Sequence, residues 1–269
     1  MESNQGAMSH KGFWGSLSTF QKWFFTVFIL AALFSFFSPV FMGEGFSNVF
    51  TVIGIVGLIS SITGVFTSIY QARAEIIVYP YWIINTITYA YVALESAYYG
   101  QVIQNICLLL PIEIIGLISW KKNLEKSKTN EIEIRKFTAV NWAIAIITCA
   151  IATVIYYYFL ANLGNIFHSL FGINIPNDPD PIMDSLTTMI TVWAIILTSM
   201  RYIEQWWFWI FCNIGVVLFI QSIIQTPHIT GPTLVGDISG ALNWIQYGTG
   251  AIYGFYLWKK MYRKRRAEA

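Results

Sequence analysis

Long apolar runs alternate with short polar breaks along nearly the whole chain. A run of about 18 or more apolar residues is long enough to cross a bilayer as a helix. Reading for such runs gives eight spans, at 23–42, 50–72, 79–96, 99–120, 138–162, 182–202, 205–226 and 237–258. The third, from Pro80 to Leu94, is short and rich in tyrosine. The first reads as a retained helix rather than a signal peptide, because its side chains are bulky and no small-residue cleavage pattern follows it.

Composition agrees with this pattern. Only 11% of the 269 residues are charged, whereas ordinary soluble domains carry about a quarter. The chain therefore reads as an all-α integral membrane protein. Charge placement tests the span count, since Lys and Arg near span ends collect on the cytoplasmic side. With eight alternating spans, all 16 basic residues fall on one face, including Lys11, Lys22, Arg73, the 121–136 loop, Arg201 and the tail from Lys259 to Arg266. Glu44, the Asn177–Pro181 loop and His228 near Asp237 fall on the other face. Both termini are expected to be cytoplasmic, and the basic residues then mark topology rather than a nucleic-acid surface. Cys107, Cys149 and Cys212 stand singly in apolar spans and read as small core residues.

An internal duplication is visible. Arg73 with Asn85 matches Arg201 with Asn213 at a spacing of 128, and Trp120-Lys-Lys matches Trp258-Lys-Lys. The predicted organisation is a cytoplasmic N-terminus at 1–22, a transmembrane helix at 23–42, a three-helix unit at 50–120 and a linker helix at 138–162. A second three-helix unit follows at 182–258, with a basic tail at 259–269. An odd connector lets both units run the same way through the membrane, so the expected architecture is two parallel three-helix bundles joined by one helix, 3+1+3, plus the N-terminal helix. Gly54, Gly57, Ser61 and Gly64 offer a groove for close helix approach. Pro39 and Pro111 are expected to kink or end their spans.

Polar side chains inside a bilayer need protein or water against them, and the few present cluster with aromatic residues. Trp206, Trp209 and Asn213 share one stripe of an ideal helix, with Trp207 pointing away. Asn85 stands between Tyr81 and Tyr89, Gln101, Gln104 and Asn105 share a face, and Asn243 precedes Tyr247 by one turn. Two aromatic and amide walls across a pore suit a flat ligand with a hydrogen-bonding edge. The candidate binding residues are Trp206, Trp209, Asn213, Asn85, Tyr89, Gln104, Asn243 and Tyr247. For any single amide, an interhelical hydrogen bond is an equally good reading. Glu113 could pair, reach the interface or couple protons. His10, His168 and His228 lie outside the spans, and neither metalloprotease, phosphate-loop nor nucleophile-elbow motifs occur. No catalytic residue, metal or cofactor is expected.

Several pieces together carry a resemblance: Arg201-x-x-Glu204 followed by Trp206-x-x-Trp209-x-x-x-Asn213, Tyr81-Trp82-x-x-Asn85, Tyr99-Gly100-x-x-x-Gln104, and Trp258-Lys259-Lys260. Over about residues 50–260 the chain resembles the PnuC family of bacterial vitamin transporters, which is similar in fold to full-length SWEET transporters. Gln101 departs from that pattern, standing where an acidic residue is commonest, while Asp237 keeps it. The resemblance implies facilitated diffusion of nicotinamide riboside across the inner membrane, with a cytosolic kinase trapping the product. Another vitamin such as thiamin, or a non-transporting membrane receptor, remains an alternative. Self-association into a homo-oligomer is compatible with either.

Overall fold

The computed structural model describes residues 12–41, 43, 45–96, 98–127, 131–175, 177–178, 180–216, 220, 224 and 231–268, with side chains of 231–236 and 268 excepted. Lys11, His10, Glu44, His228 and most of the far half of the expected 205–226 span lie outside these residues. The described chain is helical, and the β-type pairing found in it is an isolated bridge between Arg135 and Tyr202.

A short helix α1 (Phe13–Ser16) precedes α2 (Thr19–Phe41), α3 (Val52–Ala72), α4 (Val78–Glu95) and α5 (Tyr99–Lys126). Then come α6 (Ala139–Ala161), α7 (Leu163–Phe171), α8 (Pro181–Ser199), α9 (Gln205–Cys212) and α10 (Gly231–Glu268). Five of these, α2, α3, α5, α6 and α8, are long and apolar enough to cross a membrane. The starts follow local chemistry. Thr51, Thr138 and Asp180 each accept a backbone N–H of the first turn, and Pro181 occupies a position where no N–H is needed. The amphipathic α7, with Leu170 and Phe171 exposed, lies where no element was expected.

Within α5, Gln104–Leu109 forms a π-helical turn just before Pro111. Proline lacks the N–H that an α-helix would need there, and widening the preceding turn accommodates its ring. The Asn105 amide donates to the Gln101 carbonyl at 2.7 Å within this stretch. Pro39 lies inside α2 near its end at Phe41.

The helices α3 and α8 end alike. After α3, Ala74 N donates to Gln71 O and Glu75 N to Tyr70 O; after α8, Arg201 N donates to Thr198 O and Tyr202 N to Leu197 O. Ala74 and Arg201 both take the left-handed conformation that this cap requires, at φ 58° and 64°. The equivalent positions are therefore 127 residues apart, not 128. Arg201 corresponds to Ala74, Tyr79 to Trp206, and Trp82 to Trp209. Asn213 consequently corresponds to Thr86, and Asn85 to Cys212.

The third helix of each sequence unit packs against the first helix of the other. Helix α10 lies along α3, and α5 lies along α8. Two indoles fasten this exchange. Trp120 Nε1 donates to Thr198 O and Trp258 Nε1 to Gln71 O, both at 3.0 Å. Trp120 meets Tyr79 edge-on at 5.3 Å, and Trp258 meets Trp206 edge-on at 5.8 Å. Gly116 and Gly254 leave the space for Tyr79 and Trp206 respectively. The expected small-residue groove of α3 receives α10, with Gly57 against Ser239 and Gly64 against Gln246.

The linker α6 packs on α8 and turns Ile144, Ile147, Ile151 and Ile155 outward. Helix α2 packs on α3 through Phe24 and Phe28 against Val65 and Ile69. Arg73, Arg135, Arg201 and Arg265 gather at one end of the helices. There Arg135 exchanges backbone bonds with Arg201 and Ile203, and Arg265 pairs with Glu131 at 2.9 Å. Cys149 and Cys212 are buried as expected, but Cys107 is exposed because the π-helical turn carries it outward. Glu113 is fully buried and does not reach the interface.

Since a Cβ at residue 254 would enter the Trp206 ring, Gly254→Ala is expected to cost about 1–3 kcal/mol. A lowered midpoint of thermal unfolding in detergent micelles checks this, and Gly116→Ala is expected to act in the same direction.

Candidate functional site

A small cavity of about 40 Å³ lies between α4, α5, α8, α9 and α10. Its walls differ in chemistry along the helix axes. Toward the basic end it is aromatic. Trp82 and Trp209, brought together by the 127-residue register, sit with ring centroids 5.6 Å apart at 50°. Tyr247 stacks on Trp209 at 6.3 Å and 25°. Behind the pair, Trp209 Nε1 donates to Thr198 Oγ1 at 3.2 Å, which fixes its ring.

Toward the other end the walls are amides. The opening turns of α5 bring Gln101, Gln104 and Asn105 to the cavity, and the widened π-helical turn carries two of them. Gln104 Oε1 accepts the Thr188 hydroxyl at 2.9 Å, and Gln101 Nε2 donates to the buried Asp184. Asn85 ties three helices together: its amide donates to Ser60 O at 2.7 Å, and its carbonyl accepts the Tyr247 hydroxyl. Asn243 Nδ2 donates to Ser60 Oγ at 3.1 Å, and Trp244 Nε1 to the Tyr89 hydroxyl at 2.8 Å.

Asn243 Oδ1, Gln101 Oε1 and Thr191 Oγ1 are buried with no hydrogen-bond partner among the described residues. Buried polar atoms of this kind call for an explanation. All three belong to cavity-lining residues, so a ligand with donor groups would satisfy them. Among the described residues, none that lines it is Lys, Arg or His.

Six of the eight residues singled out from sequence line this cavity: Asn85, Tyr89, Gln104, Trp209, Asn243 and Tyr247. Trp206 does not. It lies a turn nearer the basic end, buried under Trp258 and against Gly254. Asn213 does not either. Helix α9 gives way to a 3-10 turn at Asn213–Gly215, which swings Asn213 off the ideal stripe; its amide returns to Trp209 O and it packs on Gly248. Tyr81 stacks on Phe66 and Tyr70 outside the cavity, while Trp207 is 39% exposed and packs on Phe255.

Trp82, Thr86, Thr191, Cys212 and Trp244 also line the cavity and were missed from sequence. The signal for Trp82 was present: Trp82-x-x-Asn85 and Trp209-x-x-Cys212 coincide once the repeat is set at 127. Thr191 extends the row of Asp184, Thr187 and Thr188 along α8.

Comparison with known proteins gives a consistent result. The chain is 30% identical over 208 residues to the nicotinamide riboside transporter PnuC of Haemophilus influenzae, covering 77% of this chain and 80% of that protein. It is 23% identical over 210 residues to the nicotinamide riboside transporter PnuC of Neisseria mucosa, covering 77% and 72%. The fold matches a crystal structure of the vitamin B3 transporter PnuC with a TM-score of 0.68 at 21% identity, over 93% of this chain and 94% of that one. The sequence model of the nicotinamide mononucleotide transporter family matches residues 54–260, and with an all-helical fold of apolar spans around a central cavity the chain is a multi-pass membrane protein belonging to that family of transporters.

Proposed function

We propose that this chain carries nicotinamide riboside by facilitated diffusion, holding it between the Trp82–Trp209 pair and the amides of Asn85, Gln104 and Asn243. One observation carries the reading: the cavity joins two tilted indole rings to uncharged amides and has no basic side chain among its described lining residues. A pyridinium ring over such faces gains about 0.5–2 kcal/mol when desolvated. The unpartnered oxygens of Asn243, Gln101 and Thr191 would accept hydrogen bonds from the carboxamide and ribose hydroxyls. A phosphate would have no cation to meet in a low-dielectric site, which is costly, so the riboside is favoured over its mononucleotide. Tyr89 acts by orienting Trp244, and Tyr247 by stacking on Trp209.

The two sequence units at 50–120 and 182–258 are read as a parallel repeat joined by α6, with α2 outside it. The basic end is read as cytoplasmic and the membrane as the bacterial inner membrane, following the rule that Lys and Arg collect inside. A cytosolic kinase that phosphorylates the riboside would make net uptake one-way without ion coupling.

Counterflow in proteoliposomes tests the assignment. Labelled nicotinamide riboside is expected to exchange, and a hundredfold excess of the mononucleotide is expected not to compete; competition by the mononucleotide would overturn the reading. Thiamin in the same panel separates the nearest alternative ligand. Trp82→Ala and Trp209→Ala are each expected to reduce exchange by about tenfold or more, in line with losing an aromatic anchor worth roughly 2 kcal/mol. Asn213→Ala, which leaves the cavity intact, is expected to stay within about threefold of wild type, as substitutions away from key contacts usually do.

A further inference from the structure

Glu113 is a carboxylate inside a membrane-spanning helix that the site as described does not use. Its side chain is 0% exposed. Oε1 accepts the Thr86 hydroxyl at 2.5 Å, and Oε2 has no hydrogen-bond partner among the described residues. A buried ionisable group in the bilayer is costly to keep and marks function more often than packing.

Its surroundings say what that function is. Thr86 on α4 bonds it, and the Tyr79 and Tyr247 phenols, on α4 and α10, lie near enough to interact with it electrostatically. None of these is a cation. Arg201, at the basic end, directs its guanidinium to Glu133 O and Ser119 Oγ. Thr86 and Leu109, one helical turn before Glu113, both line the cavity. Thr86 is also one turn from Trp82, so the carboxylate stands directly behind the aromatic end. Another buried carboxylate near the cavity, Asp184, sits at the amide end, where Gln101 donates to its Oδ1. The spacing that relates Gly116 to Gly254 places Ala251 opposite Glu113, so the charge occurs once and not as a symmetric pair.

From this placement we infer that Glu113 is the specificity-determining counter-charge of the cavity: with no cation beside it the buried carboxyl is ionised only while a cationic aromatic ring occupies the cavity, and it thereby selects that ring over the same ring uncharged. It acts through space across Thr86 and does not touch the ligand. The inference rests on the proposed substrate class.

Nicotinamide riboside and its 1,4-dihydro form share nearly the same shape, but only the first carries a ring charge. Binding of both to the purified protein in detergent, read by tryptophan fluorescence, tests the assignment. Wild type is expected to hold the cationic form tighter by about tenfold or more, the size of one unscreened charge pair at partly buried range. Glu113→Gln keeps the Thr86 hydrogen bond and is expected to lower that ratio several-fold while holding the neutral form as wild type does; Glu113→Asp is expected to retain most of the preference. An unchanged ratio in Glu113→Gln would overturn the role of Glu113 alone. Loss of both ligands in Glu113→Gln would assign it a structural role and also overturn it. Failure of wild type to bind either riboside would instead remove the substrate reading on which it stands.

Discussion

Two indole-to-carbonyl hydrogen bonds organise this fold. Near or within a bilayer a freed backbone carbonyl has no water to turn to, so its partner must come from protein. The caps of α3 and α8 offer Gln71 O and Thr198 O, and Trp258 and Trp120 reach them from the opposite sequence unit. Each bond is worth only about 1 kcal/mol net, yet together they fix which helix lies against which. They require glycine at residues 116 and 254, where Tyr79 and Trp206 pack. With those contacts set, Trp82 and Trp209 come together as a tilted pair at the end of the cavity nearer the basic residues.

The frame is nearly symmetric, but its lining is not. Positions equivalent in backbone carry Asn85 against Cys212, Thr86 against Asn213, and Glu113 against Ala251. A symmetric pair of aromatic faces suits a flat ring, which looks alike from both sides. A carboxamide and a ribose do not, and the amides of Asn85, Gln101 and Gln104 lie on α4 and α5 while α9 contributes Trp209 and Cys212. The repeat thus supplies the cage, and divergence of its two copies supplies direction.

Hydropathy made the spans legible because each apolar side chain facing lipid reports its own environment, as Ile144, Ile147 and Ile151 do on α6. The amide clusters were legible for the converse reason, since a bilayer tolerates few of them. Register was harder. It depends on the left-handed residue that closes each cap, and here those residues are Ala74 and Arg201 rather than glycine, so no local signal marked them. A matching Arg and Asn at 128 was persuasive and one residue off. Asn213 failed for a related cause, because projecting an ideal helix past Cys212 assumes a turn that the backbone does not make. The exchange of third helices left no trace at all: apolar faces that all resemble one another do not name their partners, and glycines 116 and 254 become meaningful only once Tyr79 and Trp206 are placed.

Transport requires the basic end to part, and its construction suits that. Between the Trp82–Trp209 pair and the basic end lies a small polar knot of Gln71, Thr198 and Gln205. Gln71 Nε2 donates to Gln205 Oε1 at 3.2 Å, Thr198 Oγ1 donates to the same oxygen, and Trp209 Nε1 donates to Thr198. Gln205 Nε2 is buried without a partner among the described residues. A fully paired network rigidifies a core, whereas one with a donor left over stabilises its closed form less. Interhelical bonds of this type average about 0.6 kcal/mol in membranes, so the knot holds α3, α8 and α9 together weakly. Trp209 belongs at once to the cavity wall and to this knot. A ring that engaged its face would therefore act on the same side chain whose indole N–H enters the knot at the basic end.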